Sequence, residues 1–191
     1  MISSREHLTI LVPSRTPFQF TEEFKGWHTF NTVQLVKKHE ESHYAFCKAI
    51  DQIQTKFFTI VDDDDPFPEI PEYLQDVGLT FGDNYIKELG RLRRFKFEGP
   101  WTFKEHARNC TLTHRAICRT VDAQRILHEV RNEPIYTEQW LYAHLAKDHG
   151  WNYDPSFVSI WDKKRTGLHL QIMKVRDYTR SLFERKYGFK F

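Results

Sequence analysis

Apolar positions along this chain alternate between two patterns. "LTILVPSR" (Leu8 to Arg15) is a short apolar run closed by Pro-Ser, the pattern of a central strand entering a loop. Residues 16–30 are aromatic and polar without a clean period and predict mostly loop, with a short helix over Thr21 to Lys25. "TVQLV" (Thr32 to Val36) predicts a second strand. "ESHYAFCKAIDQIQT" then sets Ala45, Phe46, Ala49, Ile50 and Ile53 at helical spacing, and "KFFTIV" follows as an apolar strand. Strand, irregular segment, strand, helix, strand is α/β logic, with parallel strands joined by crossovers.

Further on, "LTFGD" predicts a strand and turn, and "ELGRLRRFKFEGPWTF" is basic and aromatic. "THRAICRTVDAQRILHEV" predicts an amphipathic helix carrying Arg115, Arg119 and Arg125. "YTEQWLYAHLAKDHG" predicts a helix capped by Thr137 and stopped by Gly150. "SFVSIWDKKRTGLHLQ" reads as strand, turn and loop, and "KVRDYTRSLFERKYGFKF" as a basic amphipathic helix with an aromatic tail. With 191 residues, no internal repeat and no linker composition, one domain is expected.

Composition narrows the classes. Aromatics at 15% exclude a disordered chain, and a net charge of +2 is too near balance to argue for nucleic acid by itself. No apolar run approaches the ~20 residues of a membrane span, and no signal-peptide core is present, so a soluble cytoplasmic protein is expected. Cys47, Cys110 and Cys118 form no CxxC pair and suggest reduced, buried thiols. The ten histidines include no HExxH or close zinc-ligand set.

The chemistry gathers in "FFTIVDDDDPFP". Neighbouring carboxylates repel by roughly 1 kcal/mol or more per pair, so either Asp62–Asp65 is a solvated acidic loop or a cation belongs there. The run follows a strand too apolar for a surface position and sits at a carboxyl end, where open α/β sheets bind ligands; Pro13-Ser14-Arg15 falls at another such end. Clustered hard oxygen ligands suit Mg²⁺ or Mn²⁺, which complete their shell with substrate phosphates.

The segment "YAFCKAIDQIQTKFFTIVDDDDPF" resembles family 2-type nucleotide-sugar glycosyltransferases of the GT-A fold, in which a helix leads into a strand and an "L-D-x-D-D" motif. Ile50 stands twelve positions before Asp62, the spacing of that family. In order along the chain, "ILVPSR" is similar to the opening strand, "LTFGDNY" to a "V-x-Y-G-D" strand, and "NCTLTHRAICRTVDAQRI" to an "N-x-x-x-H-R-S-x-F-R" segment. "YTEQWLYAHLAKDHGWNYD" looks like the "x-E-D-W" helix and its strand, and "RTGLHLQ" like a late loop bearing a histidine. The matches run from Leu8 to about Gln171.

The resemblance implies a single GT-A-type α/β domain, with a mixed, mostly parallel sheet flanked by helices and a compact nucleotide-binding half. Residues 1–70 would bind nucleotide sugar and metal, 71–175 the acceptor, and 176–191 would form a basic aromatic tail. It implies a Mn²⁺- or Mg²⁺-dependent transfer of a sugar from a nucleoside diphosphate, a UDP-sugar in the first instance, to an acceptor hydroxyl. Asp64, Asp62 and His169 would hold the metal, and Pro13, Ser14, Arg15, His43, Asp62 and Asp63 the donor. His114 and Arg115 would reach acceptor or diphosphate, and Glu138 would be the general base.

The chain departs from the family pattern at several places. The first helix and its strand are compressed, the base-contacting "D-D-G-S" is absent, Phe46-Cys47 replaces Arg-Asn, and Gln139 stands where many members carry the catalytic Asp. The resemblance leaves the acceptor open between a glycan and a hydroxymethylated pyrimidine in DNA, and "GRLRRFKF" and "SLFERKYGFKF" would then contact phosphates and stack on a base. A non-catalytic nucleotide-sugar or carbohydrate-binding module and a nucleotidyltransferase are the competing classes.

Overall fold

The computed structural model describes residues 1–14, 16–33, 39–88, 90–95, 102–109, 115–162 and 169–191; its side chains are described over the same residues except 33, 39–42, 95, 109, 162 and 169–173. Arg15, Cys110 and His114 fall outside the described residues, as does the side chain of His169.

The chain runs β1 (Ile2–Ser3), α1 (Ser4–His7), β2 (Leu8–Ser14), a 3₁₀ turn (Glu22–Phe24), β3 (His28–Val33), α2 (His39–Ile50), β4 (Phe57–Ile60) and β5 (Tyr73–Leu74). It continues with β6 (Leu79–Glu88), β7 (Arg91–Phe95), α3 (Phe103–Asn109), β8 (Ile117–Arg119), α4 (Thr120–Glu129), α5 (Thr137–His149), β9 (Trp151–Asp162) and α6 (His169–Tyr187). The main sheet is ordered β3-β2-β4-β8-β6-β7, and β9 lies along the other edge of β6. It is mixed in equal measure: β3, β2 and β4 run parallel, as do β6 and β9, whereas β8 opposes β4 and β6, and β7 opposes β6.

Strand alternation divides the core. Leu8, Ile10, Val12, Phe57, Val61 and Ile117 face a layer that contains Phe24 of the 3₁₀ turn, Leu74 of β5 and Phe157 of β9. Leu11, Phe58, Ile60, Phe81 and Cys118 face the helices, led by α5, whose residues from Gln139 to Ala146 are all buried. A helix buried on every side belongs inside a protein. Among the described residues the long helices thus cover one face of the sheet.

Several expected elements shift. The second strand begins at His28, within the predicted loop, because its pairing with β2 starts at Thr9. The predicted helix over Thr113 to Val130 gives way to extended chain at Arg115 and Ala116 and to β8, because "RAIC" is buried between β4 and β6. Gly82 is no turn but lies inside β6: a Cβ there would come 2.0 Å from the Phe157 carbonyl oxygen, where β9 shifts register. The turn is at Gly90, with φ +76°. His169 opens α6 instead of lying in a loop. The tail aromatics are used internally, since Phe183 is buried and Tyr187, Phe189 and Phe191 pack on the core.

Candidate functional site

β2 and β4 end side by side, with Leu11 paired to Ile60, which brings Pro13 level with Asp62. Pro13 follows the last residue that pairs with β4, so its missing N–H costs no ladder bond there. Ser14 is buried, and its hydroxyl donates to the Thr16 carbonyl at 2.5 Å. Asn31 of β3 organises this loop: Nδ2 donates to the Val12 carbonyl and to Ser14 Oγ, both at 2.8 Å, while Oδ1 accepts from the Phe18 amide at 3.0 Å. Nothing local in the sequence singled out Asn31. Asn31→Ala should lower the unfolding free energy by about 1–3 kcal/mol in urea titration, because it removes the partner of a part-buried backbone carbonyl and amide. A change under about 0.3 kcal/mol would mean that the loop orders itself without it.

The aspartates form a turn directly after β4, closed by the Asp65 amide donating to the Asp62 carbonyl at 3.2 Å. Asp63 and Asp64 are exposed on it. The cation that the run calls for comes from the chain itself. Arg115 is 4% exposed; its Nη1 donates to the Ile60 carbonyl at 2.8 Å, and its Nη2 to Asp62 Oδ2 at 3.0 Å and also to Asp65. Burial opposes its charge, but the facing carboxylates of Asp62 and Asp65 more than offset that, so its pKa lies above the ordinary arginine value. Asp65 is enclosed, with 1% of its side chain exposed, whereas Asp62 keeps 47% open. Arg115 thus stands inside the fold beneath the acidic turn and not on a surface helix.

Glu138 lies in the first turn of α5, where the helix dipole favours an acid. Burial, with the Asp62 carboxylate adding to it, pushes its pKa up to about 7, against the opposing pull of its own backbone amide, Arg115 and Arg176. Glu138 therefore belongs to the electrostatic group of Asp62 and Arg115, contributed by three separate stretches of sequence. Gln139, one residue on, turns into the core: its Nε2 donates to the Ala107 carbonyl of α3, and its Oε1 is buried with no partner among the described residues. Successive helix residues point about 100° apart, so Glu138 and Gln139 cannot both face the turn.

His43 is buried and spends both ring nitrogens inside the fold, Nδ1 on Thr137 Oγ1 at 3.0 Å and Nε2 on the Val130 carbonyl at 2.9 Å. Burial lowers its pKa. It ties α2 to the start of α5 from below and leaves no ring nitrogen for a donor. Thr137 accordingly serves His43, and α5 has no side-chain cap.

Sequence reasoning named Asp62, Arg115 and Glu138, which the fold brings together, counted Asp65 only as a member of the acidic run, and missed Arg176 and Asn31. For Arg176 the available signal was its place in the basic amphipathic helix. Asp62 and Asp64 are hard oxygen donors on an accessible turn, and their chemistry fits a divalent cation. Among the described residues no three His, Cys, Asp or Glu side chains converge on a point. No helix among the described residues is long and apolar enough to cross a membrane. The chain matches no family model, and no curated protein matches it.

Proposed function

We propose that the protein transfers a sugar from a nucleoside-diphosphate donor to an acceptor hydroxyl, with Asp62 and Asp64 holding Mn²⁺ or Mg²⁺. One observation carries the reading: Asp62 lies half open just past β4, at the carboxyl end of the parallel strands β2 and β4, and Glu138 is near enough for that carboxylate to add to the effect of burial in raising its pKa to about 7. A general base works best when its pKa lies near the working pH.

Pro13 and Ser14 border the donor side, where Asn31 fixes the loop. Arg115 holds Asp62 and Asp65 from beneath, while the Asp62 side chain stays half open to a ligand. Glu138 takes the proton of the acceptor hydroxyl as that oxygen attacks the anomeric carbon, and the bond from that carbon to the diphosphate breaks. The bound cation would neutralise charge growing on the departing diphosphate. A nucleotidyltransferase would use the same aspartates but release pyrophosphate, and a binding module would release nothing.

The test is incubation with a panel of nucleotide sugars and Mn²⁺, with nucleoside diphosphate and pyrophosphate measured separately and donor binding followed by thermal shift. Nucleoside diphosphate release supports the reading; absence of metal-dependent donor binding across the panel sinks it. Asp64→Asn should abolish Mn²⁺-dependent donor binding while the fold persists, since the amide removes the charge that a hard cation requires. A variant that binds donor and Mn²⁺ like the wild type would remove the metal from Asp64.

A further inference from the structure

The strand register shows what stands beside the acidic turn. Leu79 and Thr80 of β6 pair with Cys118 and Ile117 of β8, which pair with Phe58 and Thr59 of β4. Counting up the parallel strands from Thr80 and Thr59, Asp83 comes level with Asp62. β6 continues from there to Glu88, so it rises about 17 Å above the turn at the usual strand rise. β7 returns beside it, Phe95 opposite Asn84 and Arg91 opposite Glu88, in the column that β8 occupies lower down. Among the described residues β7 pairs only with β6, and its open edge faces the space above Asp62–Asp65.

That edge is basic. Arg91, Leu92, Arg93 and Arg94 are all exposed. Arg94 is held by Asp83 at 2.5 Å, and Asp83 also accepts from the Tyr153 hydroxyl at 2.7 Å. Arg91 and Arg93 share the opposite face of the strand and have no ion pair among the described residues. Two unpaired guanidinium groups, repeating at about 6.7 Å along an extended strand, present a row of forks suited to phosphate oxygens. The donor diphosphate belongs at the turn below, so this row is placed for the acceptor.

We propose that the β7 edge docks a nucleic acid, whose phosphodiester chain carries the acceptor hydroxyl to Glu138; the inference rests on the transfer reading above for its acceptor, but the surface is tested apart from it. Arginine forks pair bidentately with phosphate.

The experiment measures binding of fluorescent single-stranded and duplex DNA by anisotropy across a salt series, with heparin as the competing polyanion. Wild type should bind DNA with an affinity that falls as salt rises. Arg91→Ser/Arg93→Ser should weaken binding at least tenfold and flatten the log–log salt slope by about 1.4 for a single strand or about 1.8 for a duplex. Nucleoside diphosphate release without acceptor should be unchanged in that variant. The strand form bound more tightly at matched salt identifies the strandedness of the partner. The proposal is overturned by no DNA binding by wild type at low salt, by equal binding by the double variant, or by displacement by heparin at lower charge concentration than by DNA. Aggregation of the variant with undiminished DNA binding also overturns it, because the arginines would then only guard an open strand edge. If DNA binding behaves as expected while no nucleotide sugar is turned over, the surface stands and the transfer reading falls.

Discussion

Glu138→Gln should lower sugar transfer by about 10²–10⁴-fold while donor affinity barely moves. The glutamine keeps the shape and the place in the first turn of α5 but cannot accept a proton. Measured kcat and KM separate the outcomes: an unchanged kcat with a weakened KM makes Glu138 a binding residue, and no change in either moves the base elsewhere. The alternative candidate on the same helix, position 139, is already closed, because Gln139 is fully buried against Ala107. Restoring a carboxylate with Gln139→Asp should therefore destabilise the core and leave the Glu138→Gln variant without rescue.

The pH dependence follows from the same group. With a pKa of about 7, caused first by burial, Glu138 is mostly protonated at pH 6 and mostly ionised at pH 8, so kcat/KM should rise through about pH 7. The Gln variant should lack that limb. The stability effect has the opposite sign. The folded-state pKa lies above the ordinary value of 4.5, so the protonated form is the one the fold favours. Its contribution is complete below about pH 4.5 and is lost as pH rises through about 7. The stability difference between wild type and Glu138→Gln should accordingly move against the wild type between those limits, by urea titration at each pH. A flat difference would mean that Glu138 is not desolvated in the folded chain.

What the sequence made legible was governed by range. The strand just before Asp62 and the helix from Thr137 follow from apolar runs and periodicity within a few residues, and both stand in the fold. β8 was hidden because three residues cannot display a period, and the helix of α4 begins immediately after it. Gly82 gave an ambiguous signal: a glycine in a strand marks a turn or a close approach, and only β9, far along the chain, decides which. The same holds at the site. Asp62 and Glu138 are legible as residue types in a known order, whereas the fate of His43 depends on Thr137 and Val130, and that of Asp65 on Arg115. The GT-A-like expectation is met as far as a mixed α/β sheet with helices packed on it.

Arg115→Met should be the most destabilising single change at the site, by about 3–5 kcal/mol, the cost of removing one partner from a buried ion pair. The methionine fills much of the arginine's volume but leaves Asp65 enclosed, Asp62 repelled by it, and the Ile60 carbonyl without its donor. For a chain of this size the melting temperature should fall by roughly 2–4 °C per kcal/mol. Arg115→Lys should recover only part, because one ammonium cannot span three acceptors that a planar fork reaches together. The decisive measurement is a double-mutant cycle with Asp65→Asn. Removing the charge that faced the guanidinium should restore part of the Arg115→Met loss, whereas Asp65→Asn alone should destabilise the wild type. Additive effects would mean that the two groups do not meet, and the turn would then need another cation to hold it. Coupling, together with Mn²⁺-dependent donor binding that survives in Arg115→Lys and vanishes in Asp64→Asn, would give each aspartate its own role. Asp65 then faces inward to the guanidinium, Asp64 faces outward to the ligand, and Asp62 serves both.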